Sequence, residues 1–99
     1  FDLVRAPEQL DAVLAKFPAK KSFSAGVING RNIWRADLDA AYKLVEKAVA
    51  KLGSEWVHVA PSCSLQFTPV DLDGEKKLDA EIKSWLAFAK QKLREISLI

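Results

Sequence analysis

The chain has 99 residues, 49% of them hydrophobic and 28% charged, with a formal net charge of +2 at pH 7. That length allows one small domain with a modest core, since chains of this size bury little more than about 60% of their unfolded surface. The small basic excess is spread along the chain and argues against a nucleic-acid partner. No apolar run approaches the roughly 18 residues of a membrane span, and no N-terminal signal pattern is visible.

A single cysteine excludes an internal disulfide and suits a reducing compartment, so a cytoplasmic location is expected. The chain contains no methionine, opens on Phe1-Asp2-Leu3-Val4 before any capping signal, and closes on Ile96-Ser97-Leu98-Ile99 without a polar tail. Both ends are expected to continue into further chain.

Pro7 suits the first turn of a helix and Glu8 favours the positive end of its dipole. Leu10, Val13, Leu14 and Phe17 form one stripe, which Pro18 ends, predicting a helix of about ten residues. Lys20 and Lys21 read as a solvated turn. Ser22 to Ile28 is the first predicted strand. Gly26 in its interior is weak as a strand former and points to a bend or to a close approach of backbone. Asn29-Gly30-Arg31-Asn32 then carries the Asn-Gly signature of a tight turn with positive φ.

Arg31 and Arg35 flank Trp34, an arrangement open to two readings. The three side chains could bind an anion or stack on an aromatic ligand. Alternatively, the arginines pair with local carboxylates while Trp34 packs on the next helix, and this plainer reading is favoured.

Asp37 is a good N-cap for a helix from Leu38 to Leu52, whose stripe is Leu38, Ala41, Tyr42, Val45, Ala48, Val49 and Leu52. Gly53 ends it. Trp56 to Ala60 is the second predicted strand, stopped by Pro61. Ser62-Cys63-Ser64 follows as a polar loop. A final long helix is expected from Asp71 or Asp73 to about Glu95, with Leu78, Ile82, Trp85, Leu86, Ala89, Leu93 and Ile96 as its buried stripe. Phe88 falls off that line and, with Trp85, would leave an apolar patch suited to a partner.

Strand, polar loop and helix thus occur twice. The predicted class is α/β, with consecutive βα units comprising two parallel strands and three helices over residues 1–99. Strands apolar on both faces want neighbours on both edges, so the units fit best as a partial (β/α)8 barrel or a slice of a wound sheet. A slice of this kind, alone, is expected to pair with a second copy or to exchange elements with it.

No catalytic arrangement is complete. Cys63 stands in a loop after a strand, where a nucleophile or metal ligand could sit. His58, five residues upstream, would point to the opposite face of an extended chain. A zinc site needs three or four ligands, and the chain holds one histidine and one cysteine. No Walker A, G-x-G-x-x-G or G-x-S-x-G motif is present. Asp71, Asp73 and Glu75 read as a helix-cap cluster. The expectation from these residues is no catalytic group and no metal site, with Cys63 the one candidate ligand. A stand-alone binding or assembly module, with an anionic ligand at Asn29-Gly30-Arg31, is the alternative.

Three blocks carry a resemblance: Gly26-Val27-Ile28-Asn29-Gly30-Arg31-Asn32-Ile33-Trp34-Arg35-Ala36-Asp37-Leu38; Ala60-Pro61-Ser62-Cys63-Ser64-Leu65 with Pro69-Val70-Asp71-Leu72; and Leu78-Asp79-Ala80-Glu81-Ile82-Lys83-Ser84-Trp85-Leu86-Ala87-Phe88-Ala89. In order and spacing they resemble the cobalamin-independent methionine synthase family over essentially the whole chain. The resemblance implies two (β/α)8 barrels, the C-terminal one binding a zinc ion that activates homocysteine for methylation by 5-methyltetrahydropteroyltriglutamate. It also implies that this segment comes from the last units of the N-terminal barrel and makes its contacts with the remainder of the parent chain. On that reading the segment binds no cofactor, is structural and inactive alone, and reaches the folate polyglutamate tail through Arg31 or Arg35. The related stretch of the catalytic barrel reads N-P-D-C-G-L where this chain has Ala60 to Leu65, so Cys63 resembles a relic of a zinc ligand. The flanking Asp and Gly are here Ser62 and Ser64.

Overall fold

The computed structural model describes residues 1–99. At its centre lies β1 (Phe23–Ile28), in which every residue except Ser24 is buried. β2 (Val57–Pro61) runs parallel to it, as the repeated strand–loop–helix order predicts, with Phe23 opposite Val57 and Gly26 opposite Ala60. The register slips between Gly26 and Ile28, so that Ile28 meets Pro61. Trp56 belongs to a 3-10 turn at Ser54–Trp56 rather than to the strand, and Pro61 is the last residue of β2 rather than the stop before it. His58 is exposed, so β2 is less apolar than the sequence suggests.

The second edge of β1 is occupied by the start of the chain. The Gly26 N–H donates to the Phe1 carbonyl at 2.9 Å, and the Leu3 N–H donates to the Gly26 carbonyl at 3.0 Å. Asp2 pairs in parallel with Gly26. A Cβ at Gly26 would lie 2.6 Å from the Phe1 oxygen and 3.0 Å from the Ser62 Cα. The glycine is therefore required by close backbone approach on two sides, as its place inside a strand implied.

Two helices cover this sheet. α1 (Gln9–Lys16) is shorter than its predicted ten residues and buries Leu10 and Leu14. α2 (Leu38–Leu52) has the predicted bounds. The Asp37 carboxylate accepts from the Ala40 N–H at 3.1 Å, and Gly53 closes the helix at φ 92°. Ala41, Val45 and Ala48 join Leu3, Leu10, Leu14, Phe23, Ala25, Val27 and Ile28 in one core. Tyr42, expected in the stripe, sits on its flank and is 52% exposed. Phe23 anchors the end of the core, stacked on Phe1 at 5.2 Å and met edge-on by Phe17 at 5.3 Å.

The long final helix is not continuous. Asp71 caps a 3-10 turn at Leu72–Gly74. α3 (Ala80–Lys83) is a single turn capped by Asp79, and α4 (Ala89–Leu98) begins only after an extended stretch. The reason lies in Leu86-Ala87-Phe88, all three of which are buried. One helical stripe cannot bury three consecutive residues, because successive side chains point about 100° apart. Extended backbone can bury them against different neighbours. It is held by Trp34 pairing antiparallel with Leu86 and by the Ala87 N–H donating to the Ile33 carbonyl at 2.7 Å. Leu78, Ile82, Trp85 and Leu93, expected inside, are exposed instead.

Leu72, Leu86 and Phe88, with Ile33 against them, form a second small cluster. Two clusters in line give an elongated body of 49 × 20 × 20 Å, with a radius of gyration of 14.7 Å; a compact chain of this length would have about 13 Å. No helix is long and apolar enough to cross a membrane.

Gly26→Ala should lower stability by about 3 kcal/mol, read from the urea midpoint at constant m-value. Gly74→Ala, where an added Cβ meets nothing within 4 Å, is the control and should change it by about 0.5 kcal/mol or less.

Candidate functional site

The two loops that leave the C-terminal ends of β1 and β2 are joined to each other. The Ser62 N–H donates to the Ile28 carbonyl at 2.7 Å, and the Gly30 N–H donates to Ser62 Oγ at 3.1 Å. Asn29 turns the first loop with its own side chain, Oδ1 accepting from the Arg31 N–H at 2.7 Å. Gly30 does not take the positive φ expected of an Asn-Gly turn, since among glycines only Gly53 does so. Its need for no side chain has a different cause: a Cβ there would lie 2.6 Å from the Cys63 oxygen and 2.9 Å from Cys63 Sγ. Strand-end crowding, not turn type, selects this glycine.

Arg31 and Arg35 are held by different partners. Arg31 Nη1 donates to Asp2 Oδ2 at 2.8 Å, an ion pair near the surface. The Asp2 carboxylate also accepts from the backbone N–H groups of Val4 and Arg5. The Arg5 N–H is the main influence holding its pKa below 3.8, and the Arg31 guanidinium adds to it. Arg31 thus meets the expectation of pairing with a local carboxylate. Arg35 has no carboxylate partner; its backbone N–H donates to the Trp85 carbonyl at 2.9 Å and its Nε to the Leu86 carbonyl at 3.4 Å. Trp34 is 52% exposed and does not pack away on α2.

Cys63 is half-buried, its Sγ directed at the Ser64 carbonyl at 3.7 Å. No three histidine, cysteine, aspartate or glutamate side chains gather into a group able to hold a metal ion. Asp71, read as a cap, does cap. It accepts from the Asp73 N–H at 3.0 Å, from Gln91 Nε2 at 2.9 Å and from Lys90 Nζ at 3.3 Å. Gln91 is the main cause of its lowered pKa.

The residue that sequence reasoning missed is Lys92, which is fully buried. Its Nζ donates to Asn32 Oδ1 at 3.2 Å and to the Trp34 carbonyl at 3.1 Å. Asn32 Oδ1 in turn accepts from the Trp34 N–H at 3.3 Å. One turn on, Glu95 Oε2 accepts from the Ala36 N–H at 2.7 Å, while Oε1 is buried without a partner. α4 therefore grips the loop after β1 through buried Lys92 and half-buried Glu95, which make no direct ion pair with each other. Desolvation lowers the Lys92 pKa, partly countered by the nearby Glu95 charge. A signal for this was present. Once a helix starts after Phe88, positions 88, 92, 96 and 99 form one face, and Lys92 lies on it.

Chemically, the joined loops hold no nucleophile–base pair, because the Cys63 thiol faces a carbonyl and His58 stands apart on an exposed strand position. Of the two arginines, Arg31 is committed to Asp2, whereas the terminal nitrogens of Arg35 keep donor capacity.

Residues 1–53 match the family described as Cobalamin-independent synthase, N-terminal domain. Over 98 residues the chain is 57% identical to the 5-methyltetrahydropteroyltriglutamate–homocysteine methyltransferase of Acidithiobacillus ferrooxidans. It is 56% identical to the enzyme of the same name from Xylella fastidiosa, again over 98 residues. These alignments cover 99% of this chain but only 12% and 13% of the two relatives, so the chain spans a small fraction of their length.

Two outcomes follow from the buried and paired charges. With its pKa depressed in the fold, Lys92 binds fewer protons in the folded than in the unfolded state over a window just below 10.5. Stability should therefore climb with pH through that window. Chemical denaturation at a series of alkaline pH values should show this climb, and Lys92→Met should abolish its Lys92-dependent part. Arg31→Gln should move the Asp2 carboxylate titration, followed by NMR, only part of the way back toward 3.8, because the Arg5 N–H remains in place.

Proposed function

Because the chain belongs to the cobalamin-independent synthase family, we propose that it serves as a structural part of a 5-methyltetrahydropteroyltriglutamate–homocysteine methyltransferase. In this reading residues 1–99 are consecutive βα units of an N-terminal (β/α)8 barrel in a cytoplasmic enzyme, and their partner is the rest of that chain. The observation that carries it is 57% identity sustained over 98 residues. The fold supports it. β1 is paired on both edges, and the two post-strand loops stand at the C-terminal strand ends, where such sheets carry their ligands.

The segment's role is to position rather than to react. One histidine, one cysteine and no gathering of three ligand side chains do not fit a zinc centre, and no step of methyl transfer is assigned to these residues. Of the two arginines, Arg31 is already committed to Asp2. Arg35 keeps both terminal guanidinium nitrogens free of protein partners and is the residue assigned to the glutamate tail of the folate substrate.

Methyl transfer from the triglutamate substrate to homocysteine, assayed with the full protein as encoded, tests this reading. Activity is expected in the full protein and none in residues 1–99 alone. Arg35→Gln should raise KM for the triglutamate substrate about tenfold with kcat little changed, the cost of one charge-assisted contact. A full protein without this activity would overturn the reading, and an unchanged KM would remove Arg35 from it.

A further inference from the structure

Arg35 lies at the edge of an open groove between the segment 72–84 and α4, and the groove carries an imbalance of charge. Arg35, Lys83, Lys90 and Arg94 all line it, against Asp73 as the single lining carboxylate. Buried Leu72 lies at this groove, and Gln91 sits beside it. Asp71, which reaches Lys90 from outside the lining, is taken up by Gln91, the Asp73 N–H and Lys90.

The side chains here are only partly used. Lys83 Nζ donates to the Glu75 carbonyl at 3.0 Å, and the Lys90–Asp71 contact is a long one at 3.3 Å. Arg35 uses only Nε, and the Arg94 guanidinium makes no hydrogen bond or ion pair within the chain. Elsewhere Arg31 and Lys47 each pair with a carboxylate, and Lys92 is buried against neutral oxygens. Here four converge from three parts of the sequence on one concavity, and their mutual repulsion is relieved only by a counter-charge. Two unsatisfied planar forks match carboxylate or phosphate oxygens in pairs.

We propose that this groove is a binding site for an oligo-anion, a ligand carrying two or more carboxylate or phosphate groups in a row. A single carboxylate would leave most of the positive charge uncompensated. A chain of them could meet Arg35, Lys83 and Arg94 in turn. The proposal deepens the Arg35 assignment above and rests on it for that one residue. Lys83, Lys90 and Arg94 extend it to a surface that no relative's name describes.

The test uses the full protein as encoded, titrated calorimetrically at low ionic strength with inorganic tripolyphosphate and, separately, with a triglutamate peptide. Saturable binding of at least one probe is expected, weakening as salt is raised. Arg94→Gln and Lys83→Gln should each reduce the affinity about tenfold, the effect of one charge-assisted contact. The remote Lys51→Gln should leave it unchanged. Both groove variants keep the core intact, and near-UV circular dichroism identical to the parent would verify this. Should either variant lose its fold, the salt dependence of the parent and the other variant decide. Tighter binding of tripolyphosphate would identify a phosphate ligand, and tighter binding of triglutamate a carboxylate chain. No saturable binding of either probe, or equal weakening by Lys51→Gln, would overturn the proposal. Methyl transfer by the same preparation is a separate readout, so the groove can fail while the family reading stands.

Discussion

Everything in this chain is arranged around the need for three stretches of backbone to pass within van der Waals distance at the C-terminal end of β1. Phe1 crosses Gly26 on one side and Ser62 crosses it on the other, while Cys63 lies over Gly30. No side chain fits at either glycine. Because these approaches bring backbone donors and acceptors together, the crowding is satisfied by hydrogen bonds rather than merely tolerated: Gly26 to Phe1, Leu3 to Gly26, Ser62 to Ile28, and Gly30 to Ser62 Oγ. The two post-strand loops are thereby fixed to each other before any ligand is considered.

A second tie runs from the far end of the molecule. α4 reaches back some sixty positions in sequence through Lys92 and Glu95 to hold Asn32, Trp34 and Ala36. Burying an ammonium and a carboxylate among mostly neutral partners is costly, and it stabilises only when nearly every donor and acceptor is met. The unpartnered Glu95 Oε1 shows that this is incomplete. What the two groups supply is position: the loop bearing Arg31 and Arg35 is fastened to the sheet at one end and to α4 at the other.

The helix that makes the second tie starts only after the break between α3 and α4. Had the chain continued as one helix, the stripe Leu78, Ile82, Trp85 and Leu93 would face inward, whereas all four are exposed. The extended residues Leu86 to Phe88 instead pair with Ile33 and Trp34. α4 then sets Lys92 against the loop after β1 and Ile96 against the main core, while Phe88 joins the second cluster. The groove lined by Arg35, Lys83, Lys90 and Arg94 exists only because the two helical pieces are set apart.

Local chemistry was legible where one residue's own preferences decide the outcome. The Asp37 cap, the bounds of α2, the Gly53 stop and the capping by Asp71 could be read from neighbours within a few positions or from hydrophobic period. The parallel strands and the close approach at Gly26 followed from the repeated strand–loop–helix order and from a glycine inside a strand. Tertiary structure alone decided which glycine constraint applied at Gly30, that Tyr42 and Trp85 lie outside, that the last helix divides at Leu86, and that a lysine fills the interior. Those outcomes turn on pairings between residues some thirty to sixty positions apart, Gly30 with Ser62 and Asn32 with Lys92. A periodic pattern along one segment carries no information about the backbone that will arrive to compete for it.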